Sequence, residues 1–103
     1  MNQREFEDYN YFQLVANEEQ LEAYSEFIQR ASEAELHDDL VTAEREYRDA
    51  ITYAEKTWGA YCWMAGSALM HLTNVLDLQG RKSEADVTDA LCARILAKGV
   101  DLD

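Results

Sequence analysis

Two histidines, two cysteines and a surplus of carboxylates are the groups that first suggest chemistry in this chain. Neither histidine has the company that catalysis needs. His37 falls in an expected turn and His71 in an expected helix, and no Ser-His-Asp or Cys-His arrangement can be drawn from them. Cys62 and His71 lie nine residues apart, with Cys92 on another expected helix, so no metal-ligand spacing appears. His37-Asp38-Asp39 reads as a solvated turn rather than a cation site, because such a cluster seldom holds an ion without further ligands. Paired carboxylates recur throughout so acidic a chain and single out no general acid or base. The residues therefore predict no enzyme, no cofactor and no metal, and they turn the question to binding surfaces.

Charge narrows the partners. Twenty-one acids against nine bases give a formal charge of −12. Affinity for phosphate comes from Lys and Arg, so direct binding to nucleic acid or to an anionic membrane is disfavoured. The expected partner is another protein, attracted over a distance if its surface is basic. The alternative is an acidic inhibitor that imitates nucleic-acid charge and blocks a nucleic-acid-binding protein. No apolar stretch approaches the ~20 residues that span a bilayer. The N-terminus, Met1-Asn2-Gln3-Arg4-Glu5-Phe6-Glu7, lacks the apolar run of a signal peptide. Cys62 and Cys92 read as small buried residues rather than a disulfide, and the expected compartment is the cytoplasm.

The elements that must build such a surface are helices. The chain has no proline and four glycines, which favours long helices over strands. The periodicity predicts one all-α domain of five antiparallel helices. A capping helix over residues 3–16 carries Phe6, Tyr9, Phe12 and Ala16, within a capping unit of residues 1–20. Asn17 and Gln20 form a capping box for a second helix, which buries Leu21, Tyr24, Phe27, Ile28, Ala31 and Ala34 and ends near Leu36. The third buries Leu40, Ala43, Tyr47, Ala50, Ile51 and Ala54, with Glu44–Arg48 and Arg45–Asp49 pairs on its outer face. Thr57-Trp58-Gly59 ends it. The fourth buries Ala65, Ala68, Leu69, Leu72, Val75 and Leu76. Gly80 then supplies a left-handed turn, Ser83 caps the fifth helix, and Val87, Leu91 and Ile95 face inward until Lys98-Gly99. The hairpins span residues 21–59 and 60–99, and residues 100–103 are an acidic tail.

The hairpins repeat. Sliding the chain by 42 residues places Phe27 on Leu69, Ala34 on Leu76, Asp38 on Gly80, Ala43 on Ala85, Ala50 on Cys92 and Lys56 on Lys98. Leu69-x-x-Leu72-Thr73-x-x-Leu76, Gln79-Gly80 with Glu84-Ala85, and Ala43-Glu44-x-x-Tyr47-x-x-Ala50-Ile51 with Trp58-Gly59 carry a resemblance. The pattern is similar to tetratricopeptide repeats of the kinesin-light-chain type, over residues 24–98. Asp38 stands where that family has glycine, and Met70-His71 where kinesin light chains have two asparagines.

The resemblance implies a short right-handed solenoid whose first helices line a peptide-binding groove. By position that groove holds Ser25, Ile28, Gln29, Ser32 and Glu35, then Ser67, Met70, His71, Asn74 and Asp77. The expected partner-binding residues are Gln29, Ser32, Met70, His71 and Asn74. To these we add Tyr61 and Trp63, in an aromatic knot with Trp58 at the junction of the repeats, and Tyr11 and Phe12 of the capping helix. About three repeats are usually needed for a continuous solenoid core, so a homodimer is a further expectation.

Overall fold

The computed structural model of the chain describes residues 18–100, with side chains described for residues 18–97. Those residues form four helices and no strand: α1 (Glu18–Leu36), α2 (Leu40–Trp58), α3 (Trp63–Leu78) and α4 (Lys82–Val100). The chain is all-α as expected, with four described helices in place of five. The expected first helix over residues 3–16 and its neighbour Asn17 lie outside the described residues. Each helix packs against the next, α1 on α2, α2 on α3 and α3 on α4. The connections are so short that neighbours must run antiparallel. The 42-residue offset holds in the backbone, for α2 and α4 begin and end that far apart.

The two hairpin turns are closed identically. Gly80 has a φ of 74°, its N–H donates to Asp77 O at 2.9 Å, and the Arg81 N–H donates to Leu76 O at 3.0 Å. In the first hairpin Asp38 has a φ of 58°, its N–H donates to Glu35 O at 3.0 Å, and the Asp39 N–H donates to Ala34 O at 2.8 Å. This left-handed stop saves the last helical carbonyls from being orphaned, and glycine takes it with least strain. Asp38 also puts a negative charge at the negative end of the α1 dipole. Asp38→Gly is therefore expected to stabilise the chain by about 0.5–1 kcal/mol, read as a higher denaturant midpoint. A lower midpoint would show that the Asp38 carboxylate has a compensating role.

Helix starts depart from expectation at two places. Cys62 is the cap of α3 rather than a residue within it. Its Sγ accepts from the Ala65 N–H at 3.3 Å and its thiol donates to Ala54 O at 3.6 Å. Burial pushes this thiol's pKa up, which keeps it protonated and unreactive. Ser83 sits inside the first turn of α4, which begins at Lys82, and so is not its cap. At the other end α4 continues through Gly99 to Val100 instead of stopping at Lys98-Gly99. Asp39 caps α2, accepting from the Thr42 N–H at 3.2 Å.

The core lies between the helices and is rich in alanine: Ala31, Ala43, Ala50, Ala54, Ala65, Ala68 and Ala85 are all buried. Small side chains let the helix axes approach closely, and Tyr24, Tyr47, Ile51, Leu69, Leu72, Val75 and Leu76 fill the remaining space. The inward faces of α1, α2 and α3 are those the periodicity predicted. That of α4 is not. Val87 and Leu91 are exposed, and Ala85, Thr88, Cys92 and Ile95 face the core. Thr88 is tolerated there because its hydroxyl donates to Ala85 O at 3.0 Å and lies 2.6 Å from the Thr73 hydroxyl. Cys92 likewise donates to Gly66 O at 3.5 Å.

Glu44 pairs with Arg48 as expected but also reaches across to the second turn. Glu44 binds Arg81 at 2.5 Å, Gln79 at 3.2 Å and Arg48 at 3.0 Å, which ties the second turn to α2. Burial works to raise its carboxyl, but hydrogen bonds from Arg81, Gln79 and Arg48 outweigh it and hold the pKa below the usual carboxylate range. Glu46 is buried beside Arg30 of α1, at 3.2 Å, and Arg45 lies 3.7 Å from Glu46 where Asp49 was expected as its partner.

Candidate protein-binding surface

The surface expected to bind is built on α1 and α3, which lie side by side over α2. Two tyrosines fix their relation. Tyr24 of α1 donates from its hydroxyl to Met64 O at 2.9 Å, so the second turn of α1 meets the first turn of α3. Tyr47 of α2 reaches up between them. It is fully buried, its hydroxyl donates to Glu35 of α1 at 2.5 Å, and its ring stacks on His71 of α3 with centroids 5.3 Å apart and planes within 7°. A buried tyrosine needs a partner for its hydroxyl, and the Glu35 carboxyl oxygen provides one. One side chain thus joins three helices and forms the floor of the face.

Burial, reinforced by the hydrogen bond to Glu35, pushes the Tyr47 hydroxyl up to about 12 from its ordinary value of 10. An unfolded tyrosine loses its proton near pH 10, while Tyr47 in the fold keeps it to about 12. In that window the unfolded state binds fewer protons, so stability falls as pH rises. Below pH 10 the contribution is fully present. Tyr24, raised mainly by burial, acts in the same direction. The denaturation midpoint is therefore expected to fall over this alkaline range and to fall less in Tyr47→Phe. Equal slopes for the two proteins would contradict the assignment.

The expected binding residues are placed as follows. Gln29 and Ser32 are exposed on α1, and Met70, His71 and Asn74 are exposed on α3. Ser32 also lies against the Tyr47 hydroxyl. Of the five, Ser32 and His71 lie at the Tyr47 side chain, and Met70 lines a pocket between α3 and α4. Tyr61, in the turn between α2 and α3, is 52% exposed and Trp63, the first residue of α3, is 65% exposed. The expected knot with Trp58 is replaced by a different aromatic cluster. Trp58 packs edge-on to Tyr24 at 5.9 Å and to Tyr53 at 6.0 Å, and Phe27 lies 6.0 Å from Tyr53. Trp58 is therefore packing between α1 and α2. Tyr11 and Phe12 lie outside the described residues.

Tyr47 is the residue of this face that periodicity alone had assigned only to the core. Its one available signal was the need of a buried hydroxyl for an acceptor within reach. The face is also nearly devoid of bases. α1 carries six glutamates and one arginine, and α3 carries Asp77 and no Lys or Arg. The single base, Arg30, turns toward α2, over the Phe27 ring at 5.0 Å and onto Glu46. Among the described residues no three His, Cys, Asp or Glu side chains are grouped to hold a metal ion, and no helix is long and apolar enough to cross a membrane.

None of the protein-family models, curated proteins or solved structures compared with the chain matches it.

Proposed function

We propose that this chain is a non-enzymatic protein-binding module of tetratricopeptide-like type, working in the cytoplasm as an adaptor or regulator. It holds a peptide or protein segment on the α1–α3 face. The observation that carries this reading is the rigid floor made by Tyr47 beneath exposed amides and hydroxyls. Gln29 and Asn74 each offer a donor and an acceptor to a main chain, and Glu35 and Asp77 favour a partner with basic groups. The protein would make no direct contact with nucleic acid or membrane. The test is capture of partners by the intact chain and by a Gln29→Ala, Asn74→Ala double variant with unchanged helix content. Proteins held by the first and lost from the second support the reading. Equal capture by both removes it.

A second reading, the acidic inhibitor, draws on Glu18, Glu22 and Glu26, which recur every four residues along α1 before Arg30 interrupts the run. Steps of four residues are about 6 Å along a helix axis, comparable to the spacing of charges along a nucleic-acid strand. Failure of the chain to compete with duplex DNA or RNA for any bound partner would eliminate it.

A further inference from the structure

The 42-residue repeat makes an internal comparison possible. In the first hairpin, α3 lies beside Tyr24 of α1 and Ala54 of α2, on the stripe of positions that also carries Leu21, Ser25, Ile28 and Ala50. Ala50 and Ala54 are completely buried, Tyr24 is held to Met64 O, and the Cys62 thiol reaches Ala54 O. The positions 42 residues on are Trp63, Gly66, Ser67 and Met70 of α3 with Cys92 and Leu96 of α4. These six line an open apolar pocket of about 90 Å³. Trp63, Met70 and Leu96 are 65%, 57% and 43% exposed. Where the first hairpin offers Tyr24, the second offers Gly66, and the pocket lies over it. The volume suits one aliphatic or aromatic side chain from above. Among the described residues, the second hairpin therefore presents an open seat of the kind that α3 covers in the first.

A second copy of this chain does not fit the seat in that manner. On α3 the stripe of His71, whose ring stacks on Tyr47, also carries Met64, Ala68 and Val75, which pack in or against the core. The same positions of α1 are Glu22, Glu26, Gln29 and Glu33. Three carboxylates would have to be buried on an apolar seat, and two chains each of charge −12 would have to meet. The rim selects further. Asp77 lies two turns after Met70 on α3, and Asp89 two turns before Leu96 on α4; both are exposed. Lys82, two turns before Asp89, is already paired with Asp86 at 3.5 Å.

We propose that the α3–α4 seat receives an amphipathic helix of another protein, apolar on one stripe and basic on its flanks. The apolar stripe covers Trp63, Met70 and Leu96, one large side chain enters above Gly66, and basic residues meet Asp77 and Asp89. This seat goes beyond the α1–α3 face and requires none of its amides.

Trp63 reports on the seat. In a Trp58→Phe chain it is the single tryptophan. The probes are a synthetic helix with a leucine–alanine stripe flanked by lysines, and its twin with glutamates in place of the lysines. The lysine probe is expected to shift Trp63 emission to the blue and to bind roughly tenfold or more tightly than the glutamate twin. Leu96→Asp should lose this binding, although it adds an acid and would strengthen mere charge attraction. Gln29→Ala with Asn74→Ala should leave it intact, which separates this seat from the α1–α3 face. Anisotropy of a labelled probe repeats the measurement on the unaltered chain should Trp58→Phe perturb folding. Equal affinity for the two probes, or no binding to the unaltered chain, overturns the proposal. So does Trp63 emission in the free chain that moves blue with protein concentration, which assigns the seat to a second copy. Emission that reddens in Phe6→Ser, Phe12→Ser assigns it to the chain's own N-terminal segment and overturns the proposal equally.

Discussion

Tyr47→Ala is expected to lower the unfolding free energy by about 3–5 kcal/mol, the range for removing a large buried aromatic. The side chain is wholly enclosed, and three separate interactions end on it: the core of α2, the Glu35 carboxylate of α1 and the stacked His71 ring of α3. Alanine opens a cavity that the rigid backbones around it close only in part. Because a chain of this size is stabilised by roughly 5–15 kcal/mol in total, the variant should be close to its limit at ambient temperature. Tyr47→Phe keeps the ring and loses only the hydroxyl. Glu35 is half-exposed and regains water, so about 1 kcal/mol is expected. Urea denaturation of the three proteins measures both steps. Equal losses for Ala and Phe would mean that the hydrogen bond to Glu35, and not the packing of the ring, carries the contribution of Tyr47. The two variants also bear on function, since Phe leaves the floor of the α1–α3 face in place and Ala removes it.

Leu72→Ala is the second large effect. Leu72 is 1% exposed at the centre of α3, and its loss is expected to cost about 2–5 kcal/mol, depending on how far the surrounding helices relax. Val87→Ala is the matched control. It removes an apolar side chain of similar character from α4, but that side chain is 62% exposed, so the change should stay within about 0.5 kcal/mol. The pair tests the rotation of α4 about its axis. A large loss at Val87 would mean that α4 turns the 87–91 stripe inward, and Ala85, Thr88 and Cys92 would then face solvent.

That rotation shows where local pattern stops being sufficient. α4 carries two competing stripes, one through Val87 and Leu91 and one through Ala85, Thr88 and Cys92, and Ile95 adjoins both. Transfer free energy per residue favours the first. The second wins because α3 offers it complementary partners: the Thr73 hydroxyl for Thr88, the Gly66 carbonyl for Cys92, and the absence of a side chain at Gly66. A β-carbon there would stand 2.9 Å from Ile95 Cγ2. None of these partners is visible from α4 itself. The cross-chain partners of Glu44 and the burial of Glu46 were illegible for the same reason, since Arg81 and Arg30 come from elsewhere in the chain. Cys62 looked like a helix residue because a thiol is seldom read as a cap.

Sequence by itself determined the helical class, the 42-residue period, the ends of α1 and α2, the left-handed turn at Gly80 and the buried faces of the first three described helices. These follow from interactions within a few residues of one another: the 3.6-residue repeat of apolar side chains, the strain of a left-handed residue and the absence of proline. Tertiary structure alone decided which stripe of α4 is buried, that Tyr47 joins three helices, and that, among the described residues, the second hairpin leaves its Trp63–Leu96 seat open. Each of these depends on which groups from distant parts of the chain meet, and the free energy of such meetings belongs to pairs of helices and not to either one.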